Sequence, residues 1–146
     1  MAMKSLRVLV VEDNDDSREL YVLVLARAGF EVKEAVDGEQ ALAMLNECEP
    51  DLLITDIQTP SMSGIDLIRR IRSDEKWSHL PIIAVSGFSR DQLAHAALHG
   101  ATRVLRKPFE PNRLLSAVFE LTRKIRVRSA SMQGFESERR SGNYEE

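Results

Sequence analysis

Two hydrophobic periods alternate along the first part of the chain. Short, nearly continuous apolar runs are separated by longer segments whose apolar residues recur at helical spacing. Leu6–Val11 (LRVLVV) lacks strict alternation and predicts a strand apolar on both faces. Asp15–Ala28 places Leu20, Val24 and Leu25 at helical spacing, with Gly29 as the stop. Phe30–Ala35 is a second predicted strand. Gly38–Cys48 is a second helix with Ala41, Leu42 and Leu45 on one face, broken by Pro50. Asp51–Thr55 (DLLIT) is a third strand, and the Pro60–Gly64 loop leads into a helix marked by Ile65, Leu67, Ile68 and Ile71. Pro81–Ser86 (PIIAVS) is a fourth strand, Asp91–His99 a weak helix ended by Gly100, and Thr102–Arg106 a fifth strand. Pro111 then opens a helix carrying Leu114, Leu115, Val118, Phe119 and Leu121.

Strand and helix thus alternate five times. Each parallel crossover needs a helix and turns right-handed, so the pattern predicts a parallel sheet covered on both faces. Five such units match a flavodoxin-like (βα)5 three-layer sandwich with strand order 2-1-3-4-5. A closed eightfold barrel needs about 250 residues and is excluded by length. The predicted domain runs over residues 1–125. Residues 126–146 are a polar, flexible tail, rich in Ser, Gly and charge from Ser129, with only Met132, Phe135 and Tyr144 as larger apolar groups.

The 43% hydrophobic and 29% charged residues suit a water-soluble globule, and no apolar run reaches the roughly 20 residues of a membrane helix. The basic N-terminus is followed by no small-residue cleavage site, which argues against a signal peptide. Cys48 is the only cysteine, so no internal disulfide forms and the cytoplasm is the expected compartment. The net charge of −3 gives no general reason to expect nucleic acid. Arg123, Lys124, Arg126 and Arg128 cluster without interleaved aromatics and read as a solvated helix end. His95 and His99, four apart with Asp91 four earlier, have a zinc-compatible spacing, but no HExxH pattern accompanies them, so a wet helical face is expected.

In open α/β sheets, sites form at the carboxyl ends of the strands. Here those ends carry Glu12-Asp13, Asp56, Ser86-Gly87 and Lys107-Pro108. Strands one and three are predicted neighbours, so three carboxylates crowd one rim. At least one must hold a proton, or a cation must sit among them. Mg2+ fits best, because it binds through one or two carboxylates and keeps water for substrate phosphate. With Lys107 as a fixed cation and Ser86 as a hydroxyl, the set suits a phosphoryl group, and a carboxylate such as Asp56 can attack phosphorus.

The segments VLVVEDNDD, LLITDIQTPSMSGIDLIRRIR, PIIAVSG and RVLRKPF resemble the response regulator receiver family of two-component signalling, over residues 6–125. The resemblance implies that Asp56 is the phosphoacceptor and Asp13 a direct Mg2+ ligand, with Mn2+ as a substitute ion. Asp56 and the backbone carbonyl of Gln58 would complete the protein ligands, with Glu12 acting through water. Ser86 would turn its hydroxyl inward to the phosphoryl group. Lys107, before a cis bond to Pro108, would pair with phosphate. The implied donor is a sensor histidine kinase or phosphotransfer protein. The expected protein is a stand-alone cytoplasmic receiver that catalyses only its own phosphorylation and dephosphorylation. Its output would pass through the face of helix four, strand five and helix five to a protein target, or through a phosphorylation-dependent homodimer. Val104 stands where many members carry an aromatic switch residue, so output must rely on Ser86, the loop after it and helix four. Gln58 and Phe88 occupy positions that tune dephosphorylation, and Phe88 cannot orient a water, which predicts a long-lived phosphoryl group. A phosphohydrolase of the haloacid-dehalogenase type would need a second aspartate where Gln58 stands. An adaptor indifferent to phosphorylation would not need Glu12, Asp13, Asp56, Ser86 and Lys107 together.

Overall fold

The computed structural model describes residues 5–87, 90–123 and 125. The strands are β1 (Arg7–Val11), β2 (Glu31–Ala35), β3 (Leu52–Asp56), β4 (Ile82–Ser86) and β5 (Arg103–Arg106). The helices are α1 (Asp15–Arg27), α2 (Gly38–Cys48), α3 (Gly64–Ser73), α4 (Arg90–Leu98) and α5, residues 111–123. A short 3-10 turn, Glu75–Trp77, precedes β4 and turns Trp77 into the core. The five strands are parallel and ordered β2-β1-β3-β4-β5, as the alternation predicts.

The sheet is apolar on both faces because helices cover both. β3 and β4 are buried along their whole length. Successive side chains go to opposite faces, so each strand feeds two cores. Leu9, Val11, Leu53, Ile82 and Ala84 pack with α2, α3 and α4. Val8, Val10, Leu52, Ile54, Ile83 and Val85 pack with α1 and α5. Each fully buried Leu or Ile contributes about 1.5–3 kcal/mol of transfer free energy. The helix starts are fixed locally. Asn14, Asp37 and Ser63 each accept a hydrogen bond from a backbone N–H of the following helix, that of Ser17, Gln40 and Asp66 respectively. Asp15 and Asp16 lie in the first turn of α1, where its dipole favours negative charge.

Two expectations about helix faces are corrected. On α1 the buried pair is Tyr21 and Leu25, while Leu20 is 46% exposed. The period admits either stripe, and the stacking of Tyr21 on Phe109, with ring centroids 5.9 Å apart, selects the one observed. On α5, Phe119 packs against Phe30 and stays 43% exposed, whereas Leu114, Val118 and Leu121 are buried. The tail expected at residues 126–146, Lys124 and Phe88 lie outside the described residues. No helix among the described residues is long and apolar enough to cross a membrane.

Candidate functional site

The ladder brings the acidic residues together. Val11 of β1 pairs with Thr55 of β3, so the next residues, Glu12 and Asp56, meet at the rim. Asp56 is 8% exposed and Glu12 only 2%, while Asp13 faces solvent. One oxygen from each of Glu12, Asp13 and Asp56 lies within 4.8 Å of the others. Lys107, just past β5, reaches across with its Nζ 2.8 Å from Asp56 Oδ2 and 3.4 Å from Glu12 Oε2. Asp56 Oδ1 accepts the Gln58 backbone N–H at 2.9 Å, and Glu12 Oε1 that of Asn14 at 3.3 Å. Both carboxylates are therefore held at both oxygens.

Ser86 ends β4 one residue beyond Val85, the register partner of Asp56, and it is buried. Its carbonyl accepts the Lys107 N–H at 2.9 Å, which ties the β4 and β5 ends together. The Lys107–Pro108 peptide bond is cis, as the resemblance implies. Beyond it, Lys107, Pro108, Phe109 and Tyr21 help line a cleft of about 230 Å³ between α1 and the start of α5.

Electrostatically the rim holds more anionic groups than cationic ones. Burial, then the neighbouring Asp56 through hydrogen bond and charge, raises the Glu12 carboxyl from 4.5 to about 7, against the opposing pull of Lys107 and the Asn14 N–H. Burial alone would lower the Lys107 amine, but the hydrogen bond and charge of Asp56, with Tyr21 and Glu12, outweigh it and raise its pKa. Near neutral pH a proton on Glu12 thus relieves the crowding. A hard divalent cation would relieve it equally well, and clustered carboxylate oxygens are the donors such an ion prefers. The acidic cluster can therefore hold a metal ion.

Comparison with known proteins agrees with this arrangement. A family model described as the response regulator receiver domain matches residues 8–119. The chain belongs to the response regulator receiver family. Among its relatives, chemotaxis protein CheY of Pseudomonas aeruginosa is 35% identical over 122 residues, covering 82% of this chain and 98% of that protein. Chemotaxis protein CheY-3 of Vibrio cholerae is 36% identical over 122 residues, covering 80% and 94%. A crystal structure of a putative response regulator from Chloroflexus aurantiacus superposes with a TM-score of 0.78 at 34% identity, covering 81% of this chain and 98% of that one.

In this receiver domain, the sequence motifs converge as expected: Glu12, Asp13, Asp56 and Lys107 meet, with Ser86 on the adjoining strand. Gln58 stands beside Asp56 through its backbone N–H, with an exposed side chain. Val104, in the place of the aromatic, is 36% exposed on β5, and no ring occupies that position. His95 and His99 stack edge to face, with centroids 5.5 Å apart, away from the acidic rim. The sequence placed Gly64 at the end of the loop before α3 but assigned it no role. A Cβ there would lie 2.4 Å from the Asp56 carbonyl oxygen and 2.7 Å from Ile57 Cα. The start of α3 packs directly on the backbone of Asp56, and only glycine permits that approach. The recognisable signal was a glycine opening a helix, in a loop already marked by Pro60.

Proposed function

We propose that Asp56 accepts a phosphoryl group from a phosphohistidine of a histidine kinase or phosphotransfer protein. An Asp56 carboxylate oxygen would attack phosphorus, the P–N bond would break, and the leaving imidazole would take a proton. Lys107, already at hydrogen-bond distance from Asp56, would shift to a phosphoryl oxygen and offset its charge. The Gln58 N–H holds Asp56 Oδ1 and fixes the carboxylate plane for in-line attack. Mg2+, or Mn2+ in its place, would be held by Asp13, Asp56 and the Gln58 carbonyl, with Glu12 acting through water, and would neutralise charge on the transferring group. Ser86 would turn its hydroxyl to the phosphoryl group. Its register partner, Arg106, would carry that movement to the α4–β5–α5 face, where a target protein binds. Phosphorylation shifts the population toward the form that binds.

The observation that carries this reading is the 2.8 Å contact of Lys107 Nζ with a nearly buried Asp56, in the company of two more carboxylates. Incubation with acetyl phosphate and Mg2+ should add the mass of one phosphoryl group to the wild type and none to Asp56→Asn. An unmodified wild type with every donor tried, including a phosphorylated phosphotransfer protein, would refute it.

A further inference from the structure

We propose that His95 and His99, one turn apart at the end of α4, together hold a single divalent ion of the imidazole-preferring class, Cu2+, Ni2+ or Zn2+, at a site separate from the acidic rim. Their ring centres lie 5.5 Å apart, with the planes at 62°. A ring nitrogen binds Zn2+ at about 2.0–2.1 Å, which puts the ring centre roughly 3 Å from the ion, and two rings at a tetrahedral angle then have centres about 5 Å apart. The observed spacing is therefore close to that of two rings on one ion. The ring centre lies near the Cβ–Cγ axis. Rotation about that bond turns a nitrogen of each ring to the shared point without moving the centres, and this torsion is soft in histidine. His95 is exposed and His99 half-buried, so an ion reaches both from water.

The turn that carries the rings is fixed before an ion arrives. Leu93 and Ala96 seat α4 in the core. The His99 N–H donates to the His95 carbonyl at 3.0 Å. Gly100, at φ +121°, then lets its own N–H reach the Ala97 carbonyl and the Ala101 N–H reach that of Ala96, the paired bonds of a Schellman motif. Arg72 of α3 clasps the Gly100 carbonyl through two nitrogens, at 2.8 and 3.0 Å. On such a scaffold the second imidazole binds with little further ordering cost. Among the described residues the acidic rim is the one group of three or more His, Cys, Asp or Glu ligands, so water completes the coordination at the histidine pair. The water comes from the open cleft of about 750 Å³ that His99 lines, where Glu39 and Asp66 offset Arg69 and Arg70. The donors decide the ion. Imidazole nitrogen suits Cu2+, Ni2+ and Zn2+, with Cu2+ bound tightest, whereas Mg2+ prefers the carboxylate oxygens of the rim.

The test titrates the full chain with Ni2+ or Zn2+, in excess Mg2+ so that the acidic rim does not compete, and follows binding by calorimetry and by the histidine ring signals in NMR. The chain has three histidines, and exposed His79 serves as the internal control. The proposal expects one ion per chain, with paramagnetic Ni2+ broadening the His95 and His99 signals together while His79 stays sharp. Affinity should fall about tenfold or more in His95→Gln and equally in His99→Gln, because a lone imidazole loses the gain of joint binding. His79→Gln should bind as the wild type does. Thermal melting in a chelator confirms that the variants remain folded. An affinity unchanged in either His95→Gln or His99→Gln overturns the proposal, and so does broadening of His79 alongside the other two. One ion per two chains overturns it as well, since the rings of one helix would then not share the ion. Binding lost as Mg2+ is raised, with the histidine signals unmoved, assigns the ion to the rim and equally refutes the histidine site.

Discussion

Replacing Glu12 with glutamine removes a buried carboxyl whose proton is held too tightly. Its pKa of about 7 in the folded protein, against 4.5 for an ordinary glutamate, corresponds to about 3 kcal/mol between its two protonation states. The folded chain binds this proton more strongly than the unfolded chain. The resulting stability is fully present below about pH 4.5 and is lost as pH rises through about 7. Between about pH 5 and pH 8 the linkage relation gives a loss of roughly 2–3 kcal/mol from this one group. The Lys107 amine and Tyr21 hydroxyl are both raised from values already above that window and do not contribute within it. Glutamine keeps the volume and an acceptor for the Asn14 N–H but has no proton to lose. Urea unfolding of both proteins, with a chelator present, isolates the term as a difference. The two should be similar at about pH 5, and the wild type should be less stable by roughly 2–3 kcal/mol at about pH 8, or several degrees in Tm. Parallel stability curves across that range would refute the assignment of a crowded, protonated Glu12.

Other outcomes follow from the same geometry. Mg2+ competes with the Glu12 proton, so its stabilisation of the wild type should grow as pH rises through about 7, in thermal melts with and without the ion, and should vanish on chelation. Gly64→Ala places a methyl group against the Asp56 backbone and should cost about 2–4 kcal/mol in urea unfolding while slowing phosphorylation. Lys107→Ala leaves Asp56 and Glu12 without their cation, so the Glu12 titration, followed by carboxyl NMR, should move further up. Ser86→Ala should still gain a phosphoryl group, while hydrogen exchange in α4 should no longer respond to it.

The chemistry of this site was legible in sequence because it sits at strand ends, and strand ends follow from the hydrophobic runs. Once β1 and β3 are neighbours, Glu12, Asp13 and Asp56 cannot avoid one another, and Lys107 falls on the same rim. The period of α1 was equally plain, but which stripe turns inward depends on Phe109, some ninety residues away, which stacks on Tyr21 and leaves Leu20 outside. Phe119 falls on the apolar face in the sequence, although it packs on Phe30 and stays partly exposed. Gly64 looked like an ordinary loop glycine until the backbone beneath it was seen. The elevated Glu12 pKa was out of reach for the same reason. Burial and the distance to Asp56 are tertiary quantities, and residue identity does not encode them one by one.

The central claim is that the carboxylate at position 56, and no other on the rim, forms an acyl phosphate. Borohydride reduces such a group to the alcohol, converting that aspartate to homoserine, which peptide mass spectrometry locates. After treatment with a phosphoryl donor and Mg2+, homoserine should appear at position 56 alone and disappear when the metal is chelated. Homoserine at position 13, reduction of the Glu12 carboxyl, or no reduced residue in a protein that has gained phosphoryl mass would contradict the account.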